Sequence, residues 1–84
     1  MDTDQKIAFL KEYIREKDKT LIDATLNYQM WTSIVMKESK PKDDALNLQY
    51  KYKMGKESLE ILIRQAKGML QELENTKENA KEKE

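Results

Sequence analysis

Apolar side chains recur along the first half of the chain at spacings that alternate between three and four residues. The members of this first repeat are Ile7, Leu10, Ile14, Lys17, Leu21, Ala24, Tyr28, Trp31 and Val35. Lys17 is the one charged residue among them. A stripe with this alternation follows one face of an α-helix and is typical of a face buried against another helix. The first half of the chain is therefore predicted to form one long amphipathic helix.

A second repeat of the same kind occupies the second half of the chain. Its predicted members are Ala45, Leu48, Tyr52, Gly55, Leu59, Leu62, Ala66, Met69 and Leu73. Pro41 lies between the two repeats, where it cannot continue a helix and biases Lys40 away from helical geometry. A turn is predicted there, and Ser39 or, one turn later, Asp43 is the expected N-cap of the second helix.

The two repeats divide the chain into one helical hairpin and two short ends. Helix 1 is predicted over about 5–38, the turn over 39–42 and helix 2 over about 43–74. The ends, residues 1–4 and 75–84, are mostly polar and charged. Because residues 75–84 cannot bury enough surface to offset the entropy lost on ordering, they are predicted to be a flexible tail of frayed helix or disordered chain. Residues 1–4 are predicted to be flexible as well.

A short connection makes consecutive helices antiparallel neighbours, so the two apolar seams should face each other. Folding the chain about position 40 sets Val35 against Ala45 and keeps the two repeats in register to their far ends. In this register Ala24 lies near Gly55, where two small residues would let the helix backbones approach closely. The predicted fold is all-α, an antiparallel two-helix hairpin of the coiled-coil type.

Apolar residues also occur on the faces of both helices that point away from the seam, where polar residues are expected. Most of them are spaced four residues apart in the half of the hairpin nearest the turn, and Phe9 lies farther back. We call the following set the outer stripe: Ile22, Leu26, Met30 and Ile34 on helix 1, with Leu46, Tyr50, Met54 and Ile61 on helix 2. A lone hairpin cannot cover its own outer faces, so the outer stripe is the predicted partner-binding surface or dimer interface.

The seam of one hairpin is too small to offset the entropy lost when two long helices become ordered. A second copy would cover the outer stripe and enlarge the core. The sequence therefore predicts that the hairpin associates with itself, as a homodimer that forms a four-helix bundle. A different protein that supplies the missing surface is the main alternative to the second copy.

The residue types that the sequence lacks exclude several classes of catalytic and metal-binding site. The 84 residues include no cysteine and no histidine. Without them the chain can form no disulfide, thiolate nucleophile, imidazole base or Cys/His zinc site. The prediction is a non-enzymatic protein with no catalytic, cofactor-binding or metal-binding residues and no small-molecule substrate.

The same sequence shows no membrane or export signal. No apolar run approaches the length of a membrane span. Asp2, Asp4 and Lys6 open the chain, where a signal peptide would have a basic start followed by an apolar core. A soluble cytoplasmic protein with no membrane partner is expected.

Charge adds one further candidate site. The 16 basic and 16 acidic residues give a net charge of zero, so nucleic acid is not the expected partner. Residues 37–56 nevertheless contain six lysines and three acidic residues, a net charge of +3. Lys51, Lys53 and Lys56 in this segment are candidate anion-binding residues, and a solvated helix face is the simpler interpretation.

Three functional hypotheses follow from these patterns. The first is a homo-oligomeric helical module for protein–protein interaction or assembly. The second is a small inhibitor or adaptor, of the size of many phage or regulatory proteins, that binds a host enzyme through a helix face. The third is a nucleic-acid-associated dimer that uses the lysines near the turn, and its binding would weaken steeply with salt.

Overall fold

Two long α-helices joined by a short connection make up the fold. A computed structural model describes residues 2–82, with side chains up to residue 79. Helix α1 spans Thr3–Lys37 and helix α2 spans Asp43–Glu82. They pack against each other as a hairpin whose extents are 68 × 15 × 14 Å. The predicted all-helical class and the two-helix hairpin are confirmed, and the described residues contain no strand.

The first helix begins at a capping box. This feature was not predicted from the sequence, which indicated a flexible end at residues 1–4. The Asp2 carboxylate accepts a hydrogen bond from the backbone N–H of Gln5 at 2.8 Å, and the Gln5 side chain accepts one from the backbone N–H of Asp2 at 3.0 Å. This reciprocal pair satisfies N–H groups that the first helical turn otherwise leaves without partners. Helix α1 therefore starts at Thr3, two residues before the predicted start, and residue 1 lies outside the described residues.

The connection between the helices agrees with the predicted turn. Helix α2 begins at Asp43, so Ser39 and Pro41 both precede it and the prediction that Ser39 caps it is wrong. Asp43 and Asp44 occupy the first turn of α2, and Lys37 occupies the last turn of α1. Each charge has the sign that the nearby end of the helix dipole favours.

The second helix extends to Glu82, eight residues beyond its predicted end at residue 74. Part of this extension is tied to α1, because Lys77 Nζ lies 2.6 Å from Asp4 Oδ1. The Thr76 hydroxyl also donates to the backbone carbonyl of Glu72 at 2.9 Å. The tail, predicted to be frayed helix or disordered chain, is helical up to residue 82, and residues 83 and 84 lie outside the described residues.

The predicted seam of α1 is confirmed. All nine of its predicted members are buried or half-buried. Ile7 and Ala24 are the most buried of them, with 9% and 8% of their surface exposed. Lys17 is half-buried in the seam, and its ammonium lies 5.3 Å from the centre of the Tyr13 ring.

The predicted seam of α2 is partly wrong. Its members spaced seven apart, from Ala45 to Leu73, do face α1, and Leu48 is half-buried beside Gln49. The remaining members, Gly55, Leu62 and Met69, are exposed, and the seam position is one residue further along the chain. Leu62 and Met69 are 46% and 55% exposed, whereas Ile63 is only 5% exposed. The buried and half-buried residues that form the observed seam are Ala45, Gln49, Tyr52, Lys56, Leu59, Ile63, Ala66, Leu70, Leu73 and Lys77.

Gly55 illustrates the consequence of this displacement. It is exposed, and a Cβ atom added to it would meet no other atom within 4 Å. The predicted close approach of Ala24 to Gly55 is therefore wrong. Lys56 takes the seam position instead.

The register between the helices is close to the predicted one. The amide of Gln49 donates to the Thr32 hydroxyl at 3.1 Å near the turn, and the Asp4–Lys77 ion pair joins the helices near their far ends. Both pairs are centred between positions 40 and 41, and the sequence predicted a fold about position 40. The helices thus pair along their whole length without a slip.

Candidate protein-interaction surface

The hairpin has a thin core and many large apolar side chains on its exterior. Among the described residues only Ile7, Ala24, Ala45, Ile63 and Ala66 are classed as buried, and no large side chain is fully enclosed. Twelve large hydrophobic residues are at least 40% exposed. Because soluble monomers seldom leave contiguous apolar surface uncovered, these exposed side chains form the candidate interaction surface.

All eight residues of the outer stripe lie on the exterior. Their exposed fractions run from 40% for Ile34 and Leu46 to 64% for Tyr50. The spacing explains this placement, since residues four apart on a helix form a continuous ridge. Ile22, Leu26, Met30 and Ile34 form one ridge on α1, and Leu46, Tyr50 and Met54 form another on α2.

A second apolar surface, which the sequence patterns did not reveal as a site, lies in the half of the hairpin farthest from the turn. Two adjoining hollows of about 220 and 190 Å³ open there between the helices. We call them together the distal groove; its lining residues are Lys6, Phe9, Leu10, Tyr13, Leu62, Gln65, Ala66, Met69 and Leu73. Most of these side chains are apolar, so the groove can hold an apolar ridge.

The wall of the distal groove on α1 is aromatic. The rings of Phe9 and Tyr13 stack with their centres 6.4 Å apart and their planes inclined at 23°. Phe9 is nevertheless 60% exposed. The Lys17 ammonium lies near the Tyr13 ring, in a cation–π contact. Two stacked rings present a broad apolar surface that can be buried by a partner.

The opposite wall of the distal groove, on α2, includes Leu62 and Met69. Both were assigned to the seam from the sequence because they continue the alternating spacing of three and four residues, but each precedes another apolar residue, Ile63 or Leu70. Periodicity alone could not decide which member of each pair faces α1. The structure places Ile63 inside the hairpin and leaves Leu62 on the groove wall.

The two flanks of the hairpin differ in character. Residues seven apart stay on one side of a coiled-coil seam. One such row on α2 contains Leu46, Lys53, Glu60, Lys67 and Glu74, and every member except Leu46 of the outer stripe is charged. Glu74 lies 3.8 Å from Lys11 of α1. We call this side the charged flank. The row on the other side contains Leu48, Gly55, Leu62 and Met69, and this apolar flank includes the distal groove.

The three candidate anion-binding lysines do not converge. A helix turns through 100° per residue, so Lys51 and Lys53 point in nearly opposite directions around α2. Lys56 Nζ is bound to Glu60 Oε1 at 2.7 Å, and this hydrogen bond and charge raise the pKa of Lys56 above its ordinary value of 10.5. Lys51 lies 5.9 Å from the centre of the Tyr52 ring. Their arrangement therefore offers no shared cradle for a phosphate.

A metal-binding cluster and a membrane-spanning helix are both absent from the described residues. No group of three acidic side chains among the described residues is placed to hold a metal ion. Neither described helix has the length and apolarity needed to cross a membrane. Comparisons with protein-family models, with curated proteins and with solved structures find no match. The exposed apolar surfaces are therefore the features of the molecule that bear on its function.

Proposed function

We propose that this protein is a non-enzymatic helical interaction module that associates with a second copy of itself through the outer stripe and forms a four-helix bundle. The exposure of the outer stripe carries this proposal. Among the described residues, five hydrophobic residues are buried and twelve large ones are exposed, so much of the apolar surface of the hairpin lies outside its own core. Burial against another copy would remove that material from water.

The amount of exposed surface supports the same conclusion. The chain exposes 6732 Å². A compact monomer of 10.0 kDa would expose about 5,200 Å². The excess, about 1,500 Å², is larger than the roughly 800 Å² per partner that a standard protein–protein interface covers. A dimer interface along the hairpin therefore has ample surface available.

Charge does not oppose the association of identical copies. The net charge of the chain is zero, so two hairpins meet without overall repulsion. The four-residue ridges of the outer stripe suit the ridge-into-groove packing of helical bundles. Cytoplasmic location remains a prediction from the sequence.

Replacing Leu26 and Met30 by glutamate tests the proposal. Two charges buried within the interface should dissociate the dimer, and the isolated hairpin should then lose helicity. Molar mass from analytical ultracentrifugation and helicity from circular dichroism measure both effects. The matched control is Gln71→Glu with Asn75→Glu, which adds the same charge at the same spacing on exposed polar positions and should leave the dimer intact.

The same experiment separates the module from the inhibitor or adaptor hypothesis. An adaptor would be a folded monomer, and its Leu26 and Met30 variant would stay folded while losing only its target protein. A stable, folded monomer of the unmodified chain would reject self-association. A variant that remained dimeric and folded would reject the outer stripe as the interface.

A further inference from the structure

The groove and the ridge at opposite ends of the hairpin point to a specific arrangement of the two copies. We propose that a second copy docks antiparallel to the first, with its Met30 and Ile34 seated in the distal groove. By symmetry, the Met30 and Ile34 of the first copy occupy the distal groove of the second. This inference rests on the proposed self-association and adds its orientation and its second contact surface.

The groove and the ridge lie on the same flank of α1. Met30 follows Phe9 by three heptads, and Ile34 follows Tyr13 by the same distance. Residues separated by whole heptads keep the same position relative to a coiled-coil seam. Because Phe9 and Tyr13 line the distal groove, the same flank of each hairpin presents a groove at one end and a ridge at the other, with Glu16 and Asp23 between them.

Shape complementarity decides between the two symmetric arrangements. In a parallel dimer the distal groove of one copy would face the distal groove of the other, and two hollows would leave unfilled space between them. Protein interfaces and interiors are close-packed, so such space forfeits contacts. In the antiparallel dimer each groove receives a ridge, and Met30, 55% exposed, is covered by the stacked rings of Phe9 and Tyr13.

The proposed alignment of the two α1 helices lets the two hairpins overlap extensively. If Phe9 meets Ile34 and Tyr13 meets Met30, both pairs are centred between Leu21 and Ile22. The midpoint of α1, which spans Thr3–Lys37, is residue 20. The symmetry axis thus crosses near the middle of the helix, and the two hairpins overlap along almost their whole length.

The flank is polar near this axis, so the apolar contacts of the proposed dimer lie toward its two ends. Thr20 and Asn27 lie there, one and two heptads after Tyr13, and the exposed carboxylates of Glu16 and Asp23 lie one and two heptads after Phe9. The Thr20 hydroxyl donates to the carbonyl of Glu16 at 3.2 Å, and the Asn27 amide donates to the carbonyl of Asp23 at 2.9 Å. Both bonds can persist in the dimer, whereas the two carboxylates need continued contact with water.

Distances between spin labels test the orientation directly. The chain contains no cysteine, so Ser39→Cys introduces one label site per copy, in the turn. At a rise of 1.5 Å per residue, the two turns of an antiparallel dimer should be about 50 Å apart. The two turns of a parallel dimer would be within about 20 Å, the width of a packed four-helix bundle. Pulsed electron–electron double resonance, which measures distances between spin labels, distinguishes the two values.

Lys19→Cys is the matched control, because it lies on the outer face of α1 close to the proposed axis. Its labels should give a short distance in either orientation and so verify that the sample is dimeric. A short Ser39 distance would overturn the antiparallel proposal while leaving self-association standing. A monomer by ultracentrifugation would overturn both proposals.

The distal groove is tested separately by Leu62→Glu. Because Leu62 lies outside the hairpin seam, the change should leave the folded hairpin seam intact and should raise the dimer dissociation constant by at least about tenfold. Met36→Glu is the matched control: Met36 is 79% exposed and lies outside both the groove and the ridge, so its dissociation constant should stay close to that of the unmodified chain. An unchanged dissociation constant for Leu62→Glu would exclude the groove from the interface.

Discussion

At the scale of single residues, Gly55 distinguishes the observed seam of α2 from the one predicted from the sequence. Glycine in a helix interior costs about 1 kcal/mol relative to alanine. A seam glycine could compensate by close packing, but Gly55 has open space around its Cβ position. Gly55→Ala should therefore increase the free energy of unfolding by about 0.5 to 1 kcal/mol in denaturant titrations.

Gly68→Ala is the control for this prediction. A Cβ atom added at Gly68 also meets nothing within 4 Å, so its substitution should stabilise the helix by a similar amount. Destabilisation by Gly55→Ala alone would mean that another surface packs closely on Gly55. That surface would have to belong to a second chain, because the hairpin itself leaves the position open.

Single residues also show why the apolar pattern alone does not identify every residue of the seam. Leu62 with Ile63, and Met69 with Leu70, are adjacent apolar pairs in which either member could continue a heptad repeat. Near the turn, apolar Leu48 fits the repeat better than Gln49, yet Gln49 carries the hydrogen bond to Thr32. A hydrophobic repeat identifies seam positions only by how apolar their residues are. The observed seam also depends on which side chains of the two helices contact each other.

At the scale of the helices, the capping box should determine how firmly α1 begins. Asp2→Ala removes the acceptor for the Gln5 N–H and should lower the free energy of unfolding by about 1 kcal/mol, as loss of an N-cap typically does. Asp2→Asn keeps a side-chain oxygen in place and should retain most of that stability. Circular dichroism during thermal unfolding measures both variants, and equal stability of all three proteins would show that the first turn contributes nothing.

The two helices were predictable to different degrees. The apolar repeats fixed their number, antiparallel order and register, and Pro41 fixed the turn, because each of these follows from local spacing and backbone chemistry. The far end of α2 was missed because its support comes from another helix: Lys77 is bound to Asp4, a contact between residues distant in the sequence. The distal groove was missed for the same reason, since it exists only where residues of α1 and α2 meet.

At the scale of the whole molecule, the thin core leads us to propose that folding and self-association are coupled. A hairpin 68 Å long whose described residues include only five buried hydrophobic ones has little to hold it together alone. In the proposed dimer, a second copy would supply the missing burial. The unit that folds cooperatively would then be the dimer, and its stability would depend on protein concentration.

This coupling predicts a melting temperature that rises with concentration. For a dimer that unfolds to two separate chains, each tenfold increase in concentration adds about 1.4 kcal/mol per dimer to the free energy of unfolding. A shift of a few degrees per tenfold change should therefore appear in thermal unfolding followed by circular dichroism. The Gln71 and Asn75 control variant should behave like the unmodified chain, because its changes lie outside the proposed interface. A melting temperature independent of concentration over a hundredfold range would instead identify the hairpin as the folding unit, and its exposed stripe would then serve a different protein.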